Sequence, residues 1–210
     1  MPYGYAEDER VNHWNNQILS QVCNYAGVFK APVPLDLDFS RAVPPDPERM
    51  ATLFEHQPYA LKDPRFSFTL PVWKPFLKEP TVCLVLFRDP ASFVASAVRL
   101  KADWWDISND ACLLLQEWAN TYEHILGHDD GRFFYLRYEN LMNGSLFPFL
   151  EELLGYPIKR DFIRPSLAHP KEMACPGEML TIYAKLLSKM VRPAGIPPAT
   201  SGSEDRRSGN

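Results

Sequence analysis

An apolar run, Thr81-Val-Cys-Leu-Val-Leu-Phe87, ends on Arg88-Asp89-Pro90, and Ser96 and Arg99 follow three residues apart. If a helix starts at Pro90, where the fixed φ of proline suits the first turn, Ser96 and Arg99 share one of its faces. The Arg88 guanidinium at the strand end, the Ser96 hydroxyl and the Arg99 guanidinium could then meet on one anion. A guanidinium offers phosphate a planar fork of donors, and the helix N-terminus would add backbone N–H groups and a favourable dipole. The alternative is structural: a solvated arginine on a loop, a serine facing solvent or a neighbouring helix, and an arginine on an exposed face. A second cluster, Lys62-Asp63-Pro64-Arg65, follows the shorter apolar stretch at residues 59–61.

Three strands and a set of helices must position these groups. Residues 81–87 form a near-continuous Val/Leu/Phe run, the pattern of a parallel strand covered on both faces. Residues 59–61 and 133–136 supply two more strands. Ligands of open parallel sheets lie at the carboxyl ends of strands, where both basic clusters stand. Residues 7–22 read as a helix with Val11, Trp14, Ile18 and Val22 on its apolar face and Asn15, Asn16 and Gln17 among its polar positions. Residues 47–54 suit a short helix, and 66–76 a short helix or turn under the sheet. After Ser108-Asn-Asp110 the strongest helical period runs through Ala111, Leu114, Leu115, Trp118, Tyr122 and Ile125. Residues 146–154 make an amphipathic helix closing on Gly155, and 178–191 a last helix with Leu180, Tyr183, Leu186 and Leu187 as its apolar face. Pro32, Pro34, Pro44 and Pro45 make 29–46 an irregular connection. The tryptophans at 104 and 105 either line a cleft or fill a core. The tail at 192–210 has no period and is expected to be disordered, leaving 1–191 as one domain.

Composition excludes several classes. With 46% apolar and 23% charged residues among 210, the chain is an ordinary globular one. Its net charge of −4 argues against a nucleic-acid binder resting on a broad basic face. It leaves room for a small anionic ligand held by a few focused donors. No apolar run approaches the length of a membrane span and the polar N-terminus has no signal-peptide core, so a cytoplasmic location is expected. Cys23, Cys83, Cys112 and Cys175 lie far apart, without a Cys-x-x-Cys pair or a His cluster, which indicates neither a zinc site nor a disulfide framework.

The motifs carry a family likeness. Arg88-Asp-Pro-Ala-Ser-Phe-Val-Ala-Ser96-Ala-Val-Arg99 resembles the 3′-phosphate-binding motif of the sulfotransferase family. Lys62-Asp-Pro-Arg65, followed by Leu70-Pro71-Val-Trp73, resembles the segment just upstream of it in bacterial-type members. Phe133-Phe-Tyr-Leu-Arg-Tyr138-Glu139-Asn-Leu141 resembles the strand and turn written Tyr-Glu-Asp-Leu in that family, with Asn140 in place of the Asp. Gly4-Tyr5-Ala6-Glu7-Asp8 resembles the Gly-aromatic-x-Glu-Asp entry found after the first strand, phosphate loop and first helix of bacterial members. The likeness spans the chain from about Gly4 to Leu187.

It implies an α/β fold, a three-layer sandwich with a parallel sheet of the phosphate-loop nucleoside triphosphate hydrolase type. It also implies transfer of a sulfuryl group from 3′-phosphoadenosine-5′-phosphosulfate to a hydroxyl or amine of a small-molecule or glycan acceptor. Adenosine 3′,5′-bisphosphate is then the product, and no metal is called for. By the same likeness Arg88 and Ser96 hold the 3′-phosphate, with Arg99 a third ligand. Tyr138 approaches the adenine, or is a core aromatic beside Phe134; Lys62 contacts the transferring group, or is a surface lysine beside Asp63. Glu7 is the first candidate for the base and Asp63 the second, although either could equally be a cap or ion-pair carboxylate. His56 and His13 are outsiders.

Residues 1–30 contain no Gly-x-x-x-x-Gly-Lys-Ser or Arg-Ser-Gly-Thr loop, so the family order places Met1 beyond the phosphate loop. The sheet is then expected to lack its first, central strand, leaving 59–61 and 81–87 about 10 Å apart across a slot. The rival readings are a non-catalytic nucleotide-binding remnant of the same fold and, with less in its favour, a phosphate-loop kinase relative.

Overall fold

Asp8 opens the first helix, α1 (Glu9–Val22), its carboxylate accepting from the N–H groups of Arg10 and Val11 as an N-cap. The computed structural model describes residues 7–23, 25, 31–55, 59–100, 107, 109–162 and 175–191. The expected tryptophan pair at 104 and 105, His56, the Gly4 entry and the 192–210 tail lie outside the described residues. Val11, Trp14 and Ile18 are buried as their spacing demands. Asn15, expected among the polar positions, is buried as well. Its Oδ1 accepts from Trp73 Nε1 at 2.8 Å and from the Thr69 hydroxyl at 2.7 Å, which satisfies the oxygen, while its Nδ2 is buried without a hydrogen-bond partner among the described residues. Both donors belong to α3 (Phe66–Trp73), which follows the short helix α2 (Pro47–Thr52). Trp14, Met50, Phe54, Val72 and Trp73 close the first core between these three helices.

A second core is built on the sheet. Strand β1 (Cys83–Phe87) leads into α4 (Pro90–Leu100) and α5 (Ala111–Gly127); strand β2 (Phe133–Arg137) leads into α6 (Tyr138–Met142), α7 (Phe147–Leu154) and α8 (Gly177–Lys189). The strands are parallel, with Cys83 opposite Phe133 and Phe87 opposite Arg137. The Cys83 N–H donates to Arg132 O at 2.9 Å, so residues 83, 85 and 87 turn their backbone groups toward β2 and residues 84 and 86 turn theirs away. Val85, Phe87 and Tyr135 meet Leu114, Trp118, Ile182 and Leu186 on one face. On the other face, Leu146 and Leu150 cover Leu136, while Leu84 and Leu86 stay 44% and 45% exposed. The run read as a doubly covered strand is thus covered on one face among the described residues.

Each outer edge of this sheet has a carbonyl taken by a group from elsewhere in the chain. At β1 the Tyr122 hydroxyl donates to Leu86 O at 3.0 Å and Trp118 Nε1 to Arg88 O at 3.1 Å. At β2 the Val191 N–H donates to Tyr135 O at 2.9 Å, beside a parallel bridge between Tyr135 and Met190.

The chain is α/β, and the described sheet has two strands. Residues 59–61 are not a strand. An extended segment becomes one only when a second backbone takes its N–H and C=O groups. Tyr59 instead hydrogen-bonds Thr81 through its hydroxyl, and Tyr59 and Leu61 pack on the Phe54–Trp73 core. The expected slot is therefore not bounded by two strands, since 59–61 is not one, and the ladder of β1 is with β2. Helix α3 packs against α1 and α5. The last helix buries Met179, Ile182 and Leu186 and leaves Leu180 exposed, so its apolar face runs one residue earlier at the first turn than the sequence suggests. Helix α7 ends on Gly155 as expected, at φ 72°, the left-handed cap that glycine adopts without a Cβ penalty.

Candidate functional site

The acidic entry to α1 and the loop after residue 61 meet in space. Lys62 Nζ lies 2.7 Å from Glu7 Oε1, across 55 residues of sequence. The other Glu7 oxygen accepts from Asn12 Nδ2 at 3.3 Å and Arg65 Nη2 at 3.4 Å. Arg65 ties this group together. Its Nε and Nη2 reach the two oxygens of Asp63 at 2.7 and 2.8 Å, and its Nη1 reaches Asn16 Oδ1 at 2.6 Å and Asn12 Oδ1 at 3.1 Å. Pro64 makes this possible: it turns the chain so that the Arg65 N–H also donates to Asp63 Oδ1, at 2.8 Å. With both oxygens taken by one guanidinium and its side chain fully buried, Asp63 is built as an ion-pair partner and not as a proton acceptor.

Glu7 is different. Burial pushes its carboxyl up, but the hydrogen bond and charge of Lys62, with Arg65 and Asn12, outweigh that and hold it below the usual range. It is ionised at neutral pH and touches an ammonium whose side chain is 57% exposed. Such a pair can accept a proton on one side and present a mobile positive charge on the other.

The second cluster stands at the carboxyl ends of the parallel strands. The Arg88 guanidinium, just past β1, lies over the Tyr138 ring at 4.7 Å, just past β2. Glu139 sits between two arginines, with Arg88 Nε at 3.9 Å and Arg137 Nε at 3.0 Å. The first turn of α4 is already occupied: Asp89 accepts from the Ser92 N–H at 3.0 Å. A carboxylate therefore fills the place where the sequence suggested free backbone donors for an anion. Ser96 is half-buried and Arg99 exposed; at about 1.5 Å of rise per residue they lie roughly 9 and 13 Å along α4 from Pro90. The fold thus joins Arg88 to Tyr138, joins Lys62 to Glu7, and sets Ser96 and Arg99 farther along a helix. His13 is exposed on α1.

Sequence reasoning gave no site role to Arg65, Asn12, Asn16 or Glu139. The signal was there in part, since Asn12 and Asn16 stand four apart and so share a face of α1, but nothing local says that this face meets a guanidinium from residue 65. No family model, no curated protein and no solved structure matches the chain.

Proposed function

We propose that the protein is a sulfotransferase-type, nucleotide-binding α/β protein of the phosphate-loop-like class that transfers a sulfuryl group from 3′-phosphoadenosine-5′-phosphosulfate to a hydroxyl or amine. The observation that carries this reading is the Arg88–Tyr138 pair at the carboxyl ends of adjacent parallel strands, the place where such sheets bind ligands. Both residues were singled out by motifs lying fifty residues apart. The donor set fits a nucleoside bisphosphate in kind: a guanidinium for phosphate, an aromatic ring for a base, and a lysine for the transferring group.

The nucleotide supplies an activated sulfuryl group when bound. Arg88 would hold the 3′-phosphate by charge-assisted hydrogen bonds, with Tyr138 beside the base. Ser96 and Arg99 would take part only where the phosphate reaches along α4. Lys62 would meet the oxygen whose charge rises during transfer, leaving Glu7 to accept the acceptor's proton. In this arrangement Arg65 keeps Glu7 in place when Lys62 swings away.

A second reading, nucleotide binding without transfer, is favoured by the Glu7–Lys62 ion pair, in which the two reacting groups neutralise each other. Calorimetry decides the binding claim. Adenosine 3′,5′-bisphosphate should bind more tightly than 5′-AMP, and Arg88→Ala should weaken it by about 1.5–3 kcal/mol, the worth of a hydrogen bond to a charged group. Equal affinities for the two nucleotides would overturn the assignment. Turnover of the phosphosulfate donor with a phenol or amine acceptor separates the two readings, since the second predicts binding with none.

A further inference from the structure

Three polar side chains of α5 lie buried on one face, Glu117, Asn120 and His124, each less than a tenth exposed. They close on the backbone of one short segment. The Val33 N–H donates to Glu117 Oε2 at 2.8 Å, Asn120 Nδ2 donates to Val33 O at 2.6 Å, and His124 Nε2 donates to Pro34 O at 2.8 Å. Gln116 steadies the Asn120 amide from one turn away, at 2.6 Å. The reason for a side-chain clasp is legible in Pro32-Val33-Pro34. Proline has no N–H, so this stretch cannot enter a ladder, and its single amide proton goes to a carboxyl.

That carboxyl has no countercharge among the described residues. The strap, Ala31 to Pro34, carries no ionisable side chain. The α3 side presents Phe68, whose ring stands against His124 at 5.1 Å. Around Val33 the titratable neighbours are Cys23 and Tyr25, both held in their neutral forms by burial. On α5 itself the Thr121 hydroxyl also bonds this carboxyl, and His124 lies two turns on. Burial pushes the Glu117 carboxyl up to about 7, against the smaller pull of Val33 and Thr121.

We infer that Glu117 is a proton-operated latch on the Ala31–Pro34 strap, closed when its carboxyl is neutral and loosened when it ionises. Opening the strap returns the carboxyl to water, where its affinity for a proton is that of an ordinary glutamate. Opening therefore releases a proton between about pH 4.5 and 7, and the opening constant rises up to tenfold per pH unit in that window and levels off above it. The latch is tightest in acid. Tyr25 packs against the cluster of Leu19, Val33 and Phe68 and hydrogen-bonds Arg65, which links the surroundings of the strap to the Glu7–Lys62 cluster. The inference holds whatever that cluster does.

Amide hydrogen exchange on the full chain tests it. After correction for the intrinsic exchange rate, protection of the Val33 amide should fall by roughly 40-fold between pH 5 and 7 and change little from 7.5 to 8.5. Glu117→Gln keeps an acceptor for Val33 and should abolish the fall. Protection that is flat in the unmodified protein, or that falls equally in E117Q, overturns the proposal. Direct titration of the Glu117 carboxyl by carbon NMR is the second readout, independent of any variant: a midpoint near 7 supports the latch and one near 4.5 overturns it.

Discussion

The ion cluster around Arg65 and the strand ends around Arg88 hold a guanidinium in two different settings. Arg65 is almost fully enclosed and its N–H groups are distributed among Asp63, Glu7, Asn12 and Asn16. Arg88 lies over the Tyr138 ring at 4.7 Å, with Glu139 at 3.9 Å, the outer limit of an ion pair. A buried guanidinium with every donor engaged holds a fold together and has nothing left for a ligand. A guanidinium over a π face at a strand end is the arrangement to which the proposed function assigns a phosphate. The comparison teaches that a basic residue beside a proline is not by itself a binding group: what its carboxylate neighbours take from it decides the matter.

Substituting the two arginines should pull this contrast apart. The largest effect expected is on Arg65→Ala, which strands the buried Asp63 carboxylate; breaking a buried pair from one side costs about 3–5 kcal/mol. Urea denaturation reads it, and a loss under about 1 kcal/mol would put Arg65 among the surface residues. Arg88→Ala should cost less, up to about 2 kcal/mol for the cation–π contact of a guanidinium whose side chain is only 15% exposed, while weakening nucleotide binding if the proposed function holds. Should both variants unfold alike, the division of labour fails.

A smaller effect is expected within the first cluster. Lys62→Ala removes an ion pair whose lysine is largely exposed, and such pairs contribute about 1 kcal/mol or less. Turnover should suffer far more than melting temperature if Lys62 meets the transferring group. Because Glu7 is held below its ordinary value, its contribution is present above about pH 4.5 and is lost as pH falls below it. Glu117 runs the other way, its destabilising charge entering between about pH 4.5 and 7. Stability measured from pH 3 to 8 should accordingly rise out of acid and then dip, with E117Q flattening the dip and Lys62→Ala softening the acid limb.

Local chemistry alone set a good part of this molecule. The apolar periods placed α1 and α7 within two residues of their observed ends and α5 at its observed start; Asp8 and Asp110 cap the starts of α1 and α5, and Gly155 accepts the left-handed backbone that closes α7. Residues 81–87 and 133–136 declared themselves as strands through β-branched and aromatic runs. Arg88, Tyr138, Lys62 and Glu7 were each singled out by a motif, but that Arg88 meets Tyr138 and Lys62 meets Glu7 was not legible there.

Tertiary structure decided the rest, and in each case the reason is a partner distant in sequence. Residues 59–61 looked like a strand, yet their side chains had a helical core to join and their backbone no ladder. Asn15 looked polar and solvated, until Trp73 and Thr69 supplied donors to its buried oxygen. Asp63 looked like a possible base, but Arg65 folded back to take both its oxygens. Glu117 had no local mark at all: its burial against Val33, 84 residues away, exists only once a proline-flanked strap lies across α5. Periodicity tells which face of an element is apolar; whether a polar group on that element is solvated, paired or clasped depends on what the rest of the chain brings to it.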